Sequence, residues 1–277
     1  MHFTKMHGLG NDFVVVDNIN DEIDKPNELA VKLSDRHLGI GADGLILICK
    51  SDIADFRMRI FNSDGSEAEM CGNGIRCVGK YVYDNKFTDK INVEIETLGG
   101  IKKLELILQD GTVTQVRVDM GEPILTPTKI PMISDKDEII NEVFAINGEK
   151  YNITAVSVGN PHAIIFVENA DKIDVEKIGK MIENYKELFP NRTNVEFIEV
   201  ISENKIKVRV WERGVGETQA CGTAACASVV ASVLNNKTSR KIEVLLLGGV
   251  LYFEWLEDNH VLMTGPAETV FVGRWLG

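Results

Sequence analysis

Five cysteines in 277 residues are too few, and odd in number, for a disulfide framework, and a reducing compartment would keep them as thiols. Cys71 and Cys77 form a Cys-x5-Cys pair and Cys221 and Cys226 a Cys-x4-Cys pair, with Cys49 apart. The Cys-x2-Cys spacing of structural zinc sites is missing, so no metal is expected. Basic residues are in deficit, 30 Lys and Arg against 42 Asp and Glu for a net charge of -12. That balance excludes a dedicated binder of nucleic acid or anionic membranes. No run of 18 apolar residues occurs, and the opening Met1-His2-Phe3-Thr4-Lys5-Met6-His7-Gly8 has no basic stretch followed by an apolar core. The expectation is a cytoplasmic protein with no membrane span. A Gly-x4-Gly-Lys-Ser/Thr loop is absent, which leaves ATP use without support. Gly39-Ile40-Gly41-Ala42-Asp43-Gly44 fits G-x-G-x-x-G by letter, but a strand follows it where a dinucleotide loop needs a helix, and no cofactor is expected.

What is present is a chain of 44% hydrophobic and 26% charged residues, enough for a real core and long enough for two domains. Several segments recur at an offset of 149 or 150 residues. Gly10-Asn11 before Phe13-Val14-Val15-Val16 matches Gly159-Asn160 before Ala163-Ile164-Ile165-Phe166. Arg59-Ile60-Phe61-Asn62, Glu67 and Cys71-Gly72 match Arg209-Val210-Trp211-Glu212, Glu217 and Cys221-Gly222. Val93-Glu94-Ile95 with Leu98-Gly99-Gly100 matches Ile242-Glu243-Val244 with Leu247-Gly248-Gly249. Three ordered matches at one offset indicate an internal duplication. Three of the seven prolines fall between Gly121 and Gly148, which marks the crossover between copies.

Within each copy, alternation over Arg57–Phe61 and Lys205–Trp211 reads as half-buried strand. Thr223 to Leu234 carries no charge, so as a helix it must be buried all round. In its counterpart, Gly74 to Tyr83, the long stems of Arg76 and Lys80 are expected to carry their charges outward. The fold class is therefore α+β, two pseudo-symmetric domains, each a mostly antiparallel sheet wrapped around a central helix. The boundaries are 1–120 plus 266–277 and 121–265, with the active site expected in the cleft between the domains.

Cys71 and Cys221 each stand before a Gly-containing turn that enters a helix. Unpaired N–H groups and the helix dipole there lower a thiol's pKa toward the thiolate. The same N–H groups can hold a substrate carboxylate, and small residues let it approach the backbone. Two such thiols related by an approximate twofold would reach one atom from opposite sides. One thiolate removes a proton from an α-carbon and the opposite thiol delivers another, which inverts the centre. Cys49, Cys77 and Cys226 read as core residues.

The sequence resembles the diaminopimelate epimerase family from Lys5-Met6-His7-Gly8-Leu9-Gly10-Asn11-Asp12-Phe13 to Met263-Thr264-Gly265, nearly its whole length. The specific blocks are Phe61-Asn62-Ser63-Asp64-Gly65-Ser66, Met70-Cys71-Gly72-Asn73-Gly74-Ile75-Arg76-Cys77, Gly159-Asn160-Pro161-His162 and Glu212 to Gly222. The resemblance implies interconversion of LL- and meso-diaminopimelate with no metal or organic cofactor, by Cys71 and Cys221 acting on opposite faces of the α-carbon. It places Asn11, Asn62, Gly72, Asn73, Asn160, Asn194, Glu212, Arg213, Gly222 and Thr223 around the substrate. It assigns His162 and Glu212 the tuning of cysteine pKa values. Arg213 can grip a carboxylate with two N–H groups and Glu212 can accept from an ammonium. Gly44 stands where some members carry a substrate-binding glutamine, and Phe271 where some place a tyrosine linked to dimer contact. A homodimer is compatible with the resemblance but lacks that hydroxyl. The resemblance also implies that the tail after Gly265 returns to the first domain. Racemisation of a smaller amino acid such as proline would leave Arg213 without a partner. A non-catalytic binding module would not need two matched thiols, and a redox sensor would need a reversible Cys71–Cys221 disulfide.

Overall fold

The computed structural model describes residues 1–277. In chain order the elements are β1 (His2–Gly8), β2 (Asn11–Asp17), α1 (Pro26–Ser34), β3 (Gly44–Cys49), β4 (Phe56–Asn62), β5 (Glu67–Ala68), α2 (Gly72–Asp84), β6 (Asn92–Thr97), β7 (Gly100–Gln109) and β8 (Thr112–Asp119). Then come β9 (Glu142–Ile146), β10 (Glu149–Ser157), β11 (Pro161–Phe166), α3 (Val175–Glu183), β12 (Asn194–Ser202), β13 (Lys205–Glu212) and β14 (Gly216–Glu217). The chain closes with α4 (Gly222–Leu234), β15 (Lys241–Leu246), β16 (Gly249–Trp255), β17 (Val261–Pro266) and β18 (Glu268–Arg274). It forms two compact units, Met1–Asp119 with Thr264–Gly277, and Met120–Met263.

In the first unit β1 lies between β2 and β18, antiparallel to both. The chain runs parallel from β2 to β3 and from β4 to β6, and the pairs β3–β4, β6–β7 and β7–β8 are antiparallel. The second unit repeats this scheme, with β11–β12 and β13–β15 parallel and β10–β11, β12–β13 and β15–β16 antiparallel. Alternate burial along β4 and β13 confirms the half-buried strands expected from their alternating sequences. Both sheets are mostly antiparallel, because a parallel pair forms only where a helix or a long crossover intervenes.

One helix sits at the centre of each unit. α2 packs against β1, β2, β4, β7 and β8, and α4 against β10, β11, β12, β13, β15 and β16. α4 is made of Ala, Val, Ser, Gly, Thr, Cys and Leu with no charge, and it is buried along nearly its whole length. Its two serines return their hydroxyls to the backbone carbonyl four residues back, Ser228 to Ala224 and Ser232 to Ser228, each at 2.7 Å, so both buried hydroxyls of this helix are paired.

The expectation for Arg76 is overturned. Its guanidinium is fully buried and donates to Gly72 O at 2.9 Å, Asn73 Oδ1 at 2.9 Å and Pro266 O at 3.0 Å. Burial lowers its pKa to about 10. Two backbone carbonyls and the Asn73 side chain can satisfy a fork of N–H groups without solvent, so the charge turns inward. Lys80 also turns in, donating to Val113 O at 2.5 Å beside Asp84 at 2.9 Å. The proline-containing segment after Gly121 packs on the second unit, burying Ile130, Met132 and Ile139 against Phe189, Val195 and Phe197. No helix is long and apolar enough to cross a membrane.

Candidate active site

Each central helix begins immediately after its cysteine, and the two starts are built alike. An arginine on the preceding strand grips a glutamate on the next: Arg59 Nε donates to Glu67 Oε1 at 2.8 Å and Nη2 to Oε2 at 3.0 Å. Arg209 does the same to Glu217 at 2.5 and 2.9 Å. These bidentate pairs pin the β4–β5 and β13–β14 hairpins that deliver the cysteines. Cys71 and Cys221 are then the N-cap residues of α2 and α4, in extended conformation at φ -138°, ψ 120° and φ -126°, ψ 117°. The first-turn N–H groups that follow have no partner within the helix and can receive an anion.

In the first unit the Gly74 amide donates to Cys71 Sγ at 3.4 Å, and the thiol faces Asn11 Oδ1 at 3.7 Å. Asn73 donates to the same oxygen at 3.2 Å. The Asn11 amide is held in this sense by Asp43, whose Oδ2 accepts from Asn11 Nδ2 at 2.8 Å. Asp43 is itself held by Arg36 at 2.9 Å, and Arg36 also reaches Asp12 at 2.8 Å, where Lys5 joins at 2.5 Å. Burial pushes the Asp12 carboxyl up, but the hydrogen bonds from Arg36 and Lys5 outweigh it and hold Asp12 at about 2. Asn11, Cys71 and Asn73 are thus brought together. Asn62 stands apart at the end of β4, exposed, donating to Ser66 Oγ at 3.0 Å.

A Cβ at Gly44 would lie 2.5 Å from the Phe61 carbonyl oxygen, so a side chain at that position would require β3 and β4 to shift apart here. Asp43, in the loop rejected as a nucleotide site, proves to be the group that orients Asn11.

In the second unit a single chain of contacts joins four expected residues. Cys221 Sγ lies 3.3 Å from Thr223 Oγ1, which accepts from Asn160 Nδ2 at 3.3 Å. Asn160 Oδ1 lies 2.8 Å from His162 Nε2, and His162 Nδ1 lies 2.7 Å from Glu196 Oε1. His162 and Glu196 are both fully buried. Glu212 accepts from Thr218 Oγ1 at 2.5 Å. Asn194 is buried with its amide engaged at both ends, donating to Pro161 O at 2.9 Å and accepting from the Arg213 amide at 2.9 Å. It fixes the backbone that presents Arg213, whose exposed side chain donates to Asn191 O at 3.3 Å.

The expectation of a lowered pKa at both helix starts does not hold for Cys221. Burial first, and then the charge of Glu212, push its thiol well above its ordinary value, and the Thr223 hydroxyl opposes them only in part. Desolvation of a thiolate outweighs a helix dipole once the sulfur leaves solvent. Cys77 is pushed up to about 12 by burial, Cys226 is buried, and Cys49 is half-buried at the end of β3. Glu196, Thr218 and Asp43 were not singled out as site residues by sequence, and Arg76 only as a charge turned outward. For Glu196 a signal existed: it is an acid within an otherwise apolar run, two residues after Asn194, and so on the same face of the strand.

The family described as diaminopimelate epimerase matches the chain over residues 3–126 and 154–270. A diaminopimelate epimerase of Methanococcus maripaludis strain S2 is 59% identical over 275 residues, covering 99% of each chain. That of Acetivibrio thermocellus is 58% identical over 275 residues, covering 99% of this chain and 98% of the other. Among solved structures, a phenazine biosynthesis protein of the PhzF family from Bacillus anthracis superposes with a TM-score of 0.71 at 18% identity, covering 100% of this chain and 99% of that one. A probable proline racemase from Agrobacterium radiobacter K84 gives 0.71 at 12% identity, covering 99% and 92%. At such identities the structures share the fold alone, whereas the sequence matches run nearly end to end. The chain belongs to the diaminopimelate epimerase family.

Proposed function

We propose that Cys71 and Cys221 are the two acid/base groups of a diaminopimelate epimerase that works without an organic cofactor. Family membership supplies the reaction, the interconversion of LL- and meso-diaminopimelate. The observation that carries the assignment of the thiols is their equivalence: both are N-caps with matching backbone angles, each delivered by a hairpin pinned by an Arg–Glu fork.

In this reading one cysteine, as thiolate, takes the α-proton and becomes a thiol. The electron pair left on carbon delocalises into the α-carboxylate, whose growing charge the first-turn amides of Gly72-Asn73 and Gly222-Thr223 are suited to receive. The other cysteine gives its proton to the opposite face and leaves as thiolate, so the enzyme ends in the complementary protonation state and is ready for the reverse reaction. Burial and Glu212 raise the Cys221 thiol, which favours its protonated form in the free protein, and the two cysteines exchange the roles of acid and base when the reaction runs backwards. Asn11, Asn62, Asn160, Arg213 and Glu212 hold the two amino-acid ends, and Asn194 acts through the Arg213 backbone. The same reading puts the enzyme in the cytoplasm as a homodimer. The exposed apolar Val270, Phe271 and Val272 of β18 support the dimer, and sedimentation would find twice the chain mass.

LL-diaminopimelate incubated in deuterated water with the reduced protein is expected to give meso product carrying deuterium at the inverted carbon. Absence of both inversion and exchange would remove the proposal.

A further inference from the structure

The hydrogen-bond chain that ends on Cys221 has a direction, and Glu196 sets it. The Asn160 amide gives its N–H to Thr223, so its carbonyl oxygen faces His162 Nε2 at 2.8 Å. An oxygen that only accepts requires a hydrogen on Nε2. The other ring nitrogen, Nδ1, meets Glu196 Oε1 at 2.7 Å in a fully buried setting. Two states satisfy both contacts: an imidazolium beside a carboxylate, or a neutral imidazole accepting the O–H of a neutral acid.

The surroundings favour the second. The other carboxyl oxygen, Oε2, is buried with no donor from the protein. That is expensive for an ionised oxygen and cheap for the carbonyl of a neutral acid. Burial also pushes the Glu196 carboxyl upward, His162 opposing and Glu212 adding to it. These two are the charged or titratable groups that act on Glu196, and Glu212 and Glu196 are the ones that act on Cys221.

We propose that Glu196 is a positioning residue for the Cys221 half-site, donating its proton to His162 Nδ1 and so fixing the Nε2–H form of the imidazole. Every donor then points toward the sulfur: Nε2–H to Asn160 Oδ1, Asn160 N–H to Thr223 Oγ1, and the Thr223 hydroxyl free to donate to Cys221 whenever the cysteine is a thiolate. With the opposite tautomer the chain would reverse. The Asn160 carbonyl would face Thr223 and draw its hydroxyl proton, and the thiolate would lose a donor. The hydrogen bond made by one imidazole nitrogen decides the role of the other, and a wrong tautomer is costly even where geometry is intact. The proposal rests on Cys221 being an acid/base group of the reaction.

The test compares Glu196→Leu, which has no donor, with Glu196→Gln, whose amide N–H can replace the acid's O–H while its carbonyl replaces Oε2. Thiolate formation at Cys221, followed by ultraviolet absorbance as the difference from the same protein carrying Cys221→Ser, is expected to move upward by about half a pH unit or more in E196L. Turnover of LL-diaminopimelate should fall about tenfold in that variant, and E196Q should recover most of both losses. Nitrogen NMR of His162 in the unaltered protein should show Nε2 protonated and Nδ1 bare, a measurement that does not depend on how either variant folds. An Nδ1–H tautomer, E196Q behaving as E196L does, or a Cys221 midpoint that is unmoved or moves downward in E196L would each overturn the proposal; a downward shift would mean that Glu196 acts as a charge. The absorbance and NMR readings need no turnover, so failure of the epimerase reading, seen as no deuterium incorporation by the unaltered protein, is distinguishable from failure of this one.

Discussion

Two acidic side chains do opposite work near the cysteines. The charge of Glu212 pushes the Cys221 thiol up, second only to burial in that effect. Glu212→Gln keeps an acceptor for Thr218 and removes the charge, so the midpoint of Cys221 thiolate formation should drop by about half a unit to one unit. Absorbance titration checks this, and an unchanged midpoint would assign the whole shift to burial. Asp12 is the reverse case. Its carboxyl is held at about 2 against an ordinary 3.8, so it contributes stability that is fully present above pH 3.8 and is lost as pH falls through 2. After allowance for its partial exposure this amounts to about 1 kcal/mol. The melting temperatures of the unaltered protein and Asp12→Asn should therefore converge between pH 4 and pH 2. Neither effect could be read from sequence: Glu212 was picked out, but the sign of its action on Cys221 depends on how deeply the sulfur is buried. Arg76 taught the same lesson, because three acceptors from Gly72, Asn73 and Pro266 come together only after folding.

At the scale of elements, α3 is the support under the Arg213 turn. Glu183 at its end accepts from Trp211 Nε1 at 2.7 Å and from the Gly214 amide at 2.8 Å, with Arg192 at 3.2 Å. The helix lies so close to Trp211 that a Cβ on Gly179 would come within 2.5 Å of the Trp211 Cβ and Cγ atoms. An indole held on a strand cannot yield as a flexible side chain would, so Gly179→Ala must lift α3 and withdraw Glu183 from the turn. We expect a loss of about 2 kcal/mol in urea unfolding and a changed Trp fluorescence, together with weaker substrate binding through Arg213. A variant as stable as the parent would mean that α3 and Trp211 can part at that contact without cost. The buried α4 was legible because thirteen residues without a charge leave no face for water. The supports of the site were not, since Glu183 and Asp43 act across sequence separations of about 30 residues through contacts that no local pattern encodes.

The whole molecule is a duplication, and it was visible as one because both copies kept the same local chemistry: the Arg–Glu fork, the extended N-cap cysteine and the 13-residue helix. What sequence similarity between the copies hides is their divergence beneath the cysteines. At one position the first copy has Arg76, a buried cation whose charge interacts with Cys71, and the second has the apolar Cys226. The second copy adds the acids Glu196 and Glu212 around Cys221. Equivalent thiols are thereby given unequal surroundings, as the proposed pairing of one base and one acid would need. The direct test follows the single α-hydrogen. With LL-diaminopimelate in deuterated water, the unaltered protein should place deuterium at the inverted carbon of the meso product. Cys71→Ser and Cys221→Ser should each lower the inversion rate by about a thousandfold or more while remaining folded. Inversion at an undiminished rate in either variant would contradict the two-thiol account.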